Sequence, residues 1–172
     1  MQICRASVGD ARAIAEIHVA SWQAAYAGII SADFLAGLSV DQRERYWREE
    51  IPLGKQELAL AKRDGKVIGW ISFGASRDKD AASDRAEIWA IYVDPVYWSS
   101  GAGRQLWLYA RTQLANAGYR SVSLWVLATN SRAIGFYGKA GFVPDPSGNS
   151  EFEIGGTLLK EVRYVAQVPG PE

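Results

Sequence analysis

The sequence predicts a single α/β domain built on a mixed sheet flanked by helices. Three observations carry this. The 172 residues suit one domain with a proper core. The balance of 48% hydrophobic and 22% charged residues is that of a folded globular chain. The order of apolar periodicities gives antiparallel strands first and an alternating strand–helix passage afterwards.

Residues 2–6 read as a strand. Ser7 and Asp10 form a capping box that opens a helix to about Ala25, with Ile14, Ile17, Ser21 and Ala24 at helical spacing and Gly28 beyond it. Ser31 caps a short turn through Phe34 and Leu38. Ser39 with Gln42 starts a second helix to about Glu50, with Pro52 outside it. Residues 57–63 and 66–76 are strands joined at Asp64-Gly65, a hairpin signal. Residues 85–93 form a strand, 103–117 a helix closed by Gly118, 121–127 a strand and 131–140 a helix closed by Gly141. Phe142 opens a further strand, and 157–166 is the last. Residues 75–84 and 144–150 read as loops within one domain spanning 1–166, and 167–172 as a frayed tail.

Composition excludes several functions. One Cys (Cys4) forms no internal disulfide, and one His with one Cys does not build a zinc site, so no metal is expected. Zero net charge argues against nucleic acid as a partner. No signal-peptide core or membrane-length apolar run shows, which makes the cytoplasm the default location. Asp78, Asp80 and Asp84 begin a calcium-loop pattern, but Ser83 and Trp89 stand where it needs Gly and Glu. Glu44 and Arg48 mark a solvated helix face.

The most informative segment runs from Glu87 through a strand and loop into Gly101-Ala102-Gly103-Arg104 at a helix start. Glycines there let backbone N–H groups meet a phosphate, aided by the helix dipole. A tight turn needed only for packing is the alternative. A dinucleotide fingerprint fails because Leu106 occupies the third glycine position. A P-loop fails because no Lys-Ser or Lys-Thr follows the glycines.

This turn, the segment Asn130-Ser-Arg-Ala133-Ile-Gly-Phe136-Tyr137-Gly-Lys139-Ala-Gly141-Phe142, and Glu87 upstream together resemble the GNAT superfamily of acyl-CoA-dependent N-acetyltransferases. The element order agrees along nearly the whole chain. The resemblance implies a mostly antiparallel sheet splayed in the middle, with acetyl-CoA as cosubstrate. Trp98 and Ser100 stand where the family often has basic residues.

The resemblance also implies roles. The amides of Ser99, Ser100, Gly101, Ala102, Gly103 and Arg104, with Trp98 beside them, would hold pyrophosphate. The pantetheine arm would run along Ile91, Tyr92 and Val93 as an added strand. Asn130, Ala133, Phe136 and Lys139 would contact the cofactor from the next helix, although Asn130 equally suits an N-cap. Tyr137 would protonate the departing thiolate and Glu87 would take the amine's proton. The plain alternatives are a buried aromatic for Tyr137 and a solvated strand end for Glu87. Strand alternation puts Glu87, Trp89, Ile91 and Val93 on one face. Trp22, Tyr26, Phe34 and Trp89 would wall an acceptor pocket suited to a cation, or else belong to the core.

His18 reads as a packed histidine, and Trp47, Trp70, Trp107 and Trp125 as packing. The implied activity is acetyl transfer to a primary amine of a small molecule. The alternatives are a protein or peptide acetyltransferase and a non-catalytic acyl-CoA sensor. The oligomeric state stays open, with a homodimer as one form.

Overall fold

The computed structural model describes residues 1–170. The chain runs β1 (Gln2–Arg5), α1 (Ala11–Ala25), α2 (Ala32–Ala36), α3 (Val40–Leu53), β2 (Glu57–Arg63), β3 (Lys66–Ala75), β4 (Arg85–Val93), α4 (Ala102–Asn116), β5 (Ser121–Leu127), α5 (Ser131–Lys139), β6 (Val143–Ile154) and β7 (Thr157–Gln167). The seven strands form one sheet in the order β1-β2-β3-β4-β5-β7-β6. Every pairing is antiparallel except β4 with β5. The sheet is therefore mixed, as the sequence predicts, and mostly antiparallel, as the family resemblance implies.

Alternation in β2 divides the core. Leu58 and Leu60 pack with Ile14, Ile17, Trp47 and Trp70 under α1 and α3. Ala59 and Ala61 pack with Leu106, Trp107 and Leu114 of α4. Each large side chain so buried is worth about 1.5–3 kcal/mol. A satellite cluster of Ile30, Leu35, Leu127 and Leu159 closes one end.

Strands β4 and β5 pair only at Arg85–Ser121, Ala86–Val122 and Glu87–Ser123. Beyond Glu87 they part. β4 stays paired with β3 as far as Val93, and β5 stays paired with β7 as far as Leu127. The β4 edge that faces the fork is thus without a strand partner over its second half.

The structure revises several boundaries. Helix α3 continues through Pro52 to Leu53, because a proline in the last turn forfeits only the bond to Arg48, and Gly54 then caps at φ 61°. The expected loop at 144–150 lies within β6, whose register to β7 slips between Pro144 and Asn149. Gly148 is required in that slip, since a Cβ there would lie 2.2 Å from the Arg163 Cβ. At the other end β7 extends to Gln167. Val168 is buried, and its N–H donates to the Arg120 carbonyl at 2.8 Å, so pairing carries the chain past the expected boundary at Ala166. Positions 171–172 of the expected tail lie outside the described residues. Among the described residues no helix is long and apolar enough to cross a membrane.

Candidate active site

The fork between β4 and β5 opens into a cavity of about 960 Å³. One end is the glycine turn. Gly101 sits at φ 87°, a conformation that favours glycine, and its carbonyl accepts the first helical bond of α4 from Gln105. The N–H groups of the first turn of α4 have no partner within the helix, and Ala102, Gly103 and Arg104, which carry them, line the cavity. Gly103 is small for a different reason: a Cβ there would lie 3.3 Å from two ring atoms of Phe136. Arg104, Arg132 and Lys139 line this end, and the Arg132 guanidinium lies over the Trp98 ring.

The other end is acidic and aromatic. Glu87 is 2% exposed, at the last β4–β5 pair. Its carboxylate receives the Arg77 backbone N–H at 2.9 Å and forms an ion pair with the Arg77 guanidinium. That guanidinium also lies 4.4 Å from the centre of the Trp89 ring. Glu161 of β7 lines the cavity and makes no ion pair among the described residues. Burial first, and the Glu87 charge second, push its carboxyl up from the ordinary range.

Three phenols, Tyr26, Tyr92 and Tyr137, line the same cavity, with Tyr26 near Glu161. The Tyr92 hydroxyl accepts the Trp22 indole N–H at 2.8 Å. Burial raises Tyr26, Tyr92 and Tyr137, and Tyr26 and Tyr137 also feel the Tyr92 hydroxyl, so all three are held protonated.

Comparison with known proteins says which family carries such a splayed sheet. The acetyltransferase (GNAT) family matches residues 13–142. The chain belongs to that family. The uncharacterized N-acetyltransferase YuaI of Bacillus subtilis is 33% identical over 157 residues, covering 91% of this chain and 87% of its own. The spermidine N(1)-acetyltransferase of Thermoplasma acidophilum is 28% identical over 160 residues, covering 88% and 94%. The PaiA N-acetyltransferase of Thermoplasma acidophilum, solved in complex with coenzyme A, superposes with a TM-score of 0.71 at 23% identity, covering 93% and 96%. The protein is an acetyl-CoA-dependent acetyltransferase.

In this GNAT chain most of the anticipated residues meet at the cavity. Trp22, Tyr26, Glu87, Trp89, Ile91, Tyr92, Val93, Trp98, Ser99, Gly101, Ala102, Gly103, Arg104, Asn130, Ala133, Phe136, Tyr137 and Lys139 all line it. Two do not. Ser100 is absent from the lining, and its N–H donates to the Tyr97 carbonyl at 3.2 Å. Phe34 packs in the satellite core against Gly155, where a Cβ would come within 2.8 Å of it. Ile30, Phe152, Ile154 and Leu159 form that stretch of wall instead. Asn130 acts as the N-cap of α5, accepting the Ala133 N–H at 3.1 Å, while also lining the cavity.

The expected alternation along β4 fails at one residue. Ser72 opposes Ala90 and Phe73 opposes Ile88, so Trp89 is an inserted bulge residue. The bulge reverses the parity. Ala86, Ile88, Ile91 and Val93 face α4, whereas Ala90 and Tyr92 face α1, the side on which Glu87 lies.

Sequence reading missed Arg77, Glu161 and Trp125. Trp125, assigned to packing, lines the cavity and donates its indole N–H to Asp78 at 3.0 Å. One signal was available for Glu161. In the last strand, Leu159, Glu161 and Arg163 share a face at period two, which sets two charges on an inner face.

Proposed function

We propose that the protein transfers the acetyl group of acetyl-CoA directly to the primary amine of a small molecule. One observation carries this: the groove is polarised. Arg104, Arg132, Lys139 and the helix amides stand at one end; at the other stand aromatic rings, the Glu87 carboxylate neutralised by Arg77, and Glu161, unpaired among the described residues, which leaves that end one negative charge in excess. The first end suits an anionic pyrophosphate and the second an ammonium. An approach to both from opposite sides brings amine and thioester together at the fork.

The residues fit the cosubstrate. Unpartnered amides cap α4, the open β4 edge suits an amide-bearing arm, and Gly103 leaves the cradle free of a side chain. When bound, acetyl-CoA supplies an activated acetyl thioester. The chain's own groups then act in turn. Tyr137, held protonated, donates to the leaving sulfur. The acidic end attracts the ammonium and receives its proton, a role for which Glu87 and Glu161 are both in reach of the cavity. The relationship to a spermidine acetyltransferase supports an amine acceptor.

The test is a panel of amines, including spermidine and n-propylamine, with free-thiol release from acetyl-CoA as the readout. Turnover of a small amine is expected, and Tyr137→Phe should lower kcat by roughly 10²-fold. Turnover of peptides alone would shift the acceptor to protein, and tight coenzyme A binding with no turnover would identify a sensor.

A further inference from the structure

We infer that Glu161 is the group that accepts the proton of the attacking amine, with Arg77 and Glu87 as a positioning pair. This rests on the reading of the site as an amine acetyltransferase. Glu87 is poorly suited to the task in geometry. Both of its oxygens receive donors from Arg77, and its side chain is 2% exposed. An oxygen that took a proton from an amine would have to give up a donor from Arg77 and would leave that guanidinium without its counter-charge.

Glu161 is arranged in the opposite way. It stands on β7, with backbone partners Leu127 of β5 and Ser150 of β6, neither of them charged. It lines the cavity, is half-buried, and has no hydrogen bond or ion pair among the described residues. The charged and titratable groups around it are Glu87 on β4, Arg77 and Asp78 on the loop before β4, and Tyr26 after α1. Arg163, two positions along β7, is taken up by Asp78, Asp80 and Asp145. Burial and the neighbouring Glu87 charge raise the Glu161 carboxyl, which makes it a better base.

The step balances. The amine nitrogen forms a bond to the acetyl carbon, the carbon–sulfur bond breaks with its electron pair on sulfur, and the proton shed by nitrogen passes to Glu161. Sulfur takes a proton from Tyr137, and the second proton that nitrogen loses as the ammonium becomes an amide returns to the Tyr137 oxygen, so the phenol is restored.

Two measurements test this. The first is a ¹³C carboxyl titration of the labelled protein, with the Glu161 signal identified by its loss in Glu161→Gln. It is expected to titrate above the ordinary glutamate range and to move down in Glu87→Gln. A signal at or below the ordinary range overturns the assignment. The second is the pH profile of kcat with spermidine or n-propylamine. Glu161→Gln should lower kcat roughly 10²–10⁴-fold and remove the acidic limb, with unchanged coenzyme A affinity and melting temperature. Glu161→Asp should recover part of the rate. Retention of rate and limb in Glu161→Gln, with both lost in Glu87→Gln, would return the role to Glu87. If the wild-type protein acetylates no amine, the proposed function fails, and the titration still decides whether Glu161 holds a raised carboxyl.

Discussion

The Arg132 guanidinium lies 3.9 Å from the centre of the Trp98 ring, and the Trp98 indole N–H donates to the Val93 carbonyl at 2.8 Å. Trp98 stands where related turns often carry a basic side chain. Here the tryptophan is tied to the end of β4, and the cation arrives from α5. Replacing Arg132 by Ala is expected to weaken coenzyme A binding by roughly tenfold, equivalent to about 1.4 kcal/mol. The loss should shrink at high salt, as for a partly exposed charge. Trp98→Ala should cost a similar factor through lost orientation of Arg132. Calorimetric titration with coenzyme A at two ionic strengths measures both, and an Arg132→Ala protein of undiminished affinity would exclude this arrangement.

The glycines of the turn do separable work. Gly101→Ala meets open space but a φ of 87°, so about 1–2 kcal/mol of stability should be lost. Gly103→Ala has an ordinary backbone but drives a Cβ to 3.3 Å from Phe136. Its effect should fall mainly on coenzyme A affinity, because the ring it displaces borders the groove. Ser99 already sits at φ 63°, so Ser99→Gly should stay within about 0.5 kcal/mol of wild type as strain relief offsets added chain entropy. Denaturant melts alongside coenzyme A titrations separate the three.

Arg163 is 3% exposed and gathers Asp78 at 3.0 Å, Asp80 at 2.7 Å and Asp145 at 2.9 Å. It thereby pins the segment that carries Arg77 to β7. Arg163→Met leaves those carboxylates without a counter-charge and should destabilise the fold by about 3–5 kcal/mol. Lysine should not rescue it, since one ammonium does not reproduce the guanidinium fork. Thermal unfolding of both variants is the check, and a Lys variant as stable as wild type would contradict the fork-like role.

His18 stacks on Tyr92 with ring centres 4.9 Å apart at 18°, and neither ring nitrogen has a partner among the described residues. Burial first, and Arg43 second, depress its pKa from 6.5 to about 3. Between these values the unfolded chain binds a proton that the folded chain refuses. Stability is therefore present above about 6.5 and falls as pH drops toward about 3. The slope from this one group is about 1.4 kcal/mol per pH unit. His18→Phe keeps an aromatic against Tyr92 and should flatten that part of the stability–pH curve. An unchanged slope would mean that His18 is not the titrating group.

Much of this molecule was legible in the sequence. Local rules sufficed for the capping box at Ser7, the N-cap at Ser39, the Asp64-Gly65 hairpin and the glycine-led start of α4, because each depends on a few adjacent residues; the reciprocal Gln42 bond expected at Ser39 does not form. Motif spacing led to the fork and to most residues of its wall. The tertiary structure decided what depends on chain-distant neighbours. A one-residue bulge at Trp89 reversed the parity of β4, a change no period-two pattern can anticipate. Arg77 satisfied Glu87, and β7 brought Glu161 across from it. Phe34 went to the satellite core because Gly155 lies against it. The sequence thus determined which chemistry the chain holds. Which carboxylate is free to do that chemistry was decided by folding, because a charge is free or paired only relative to what packs beside it.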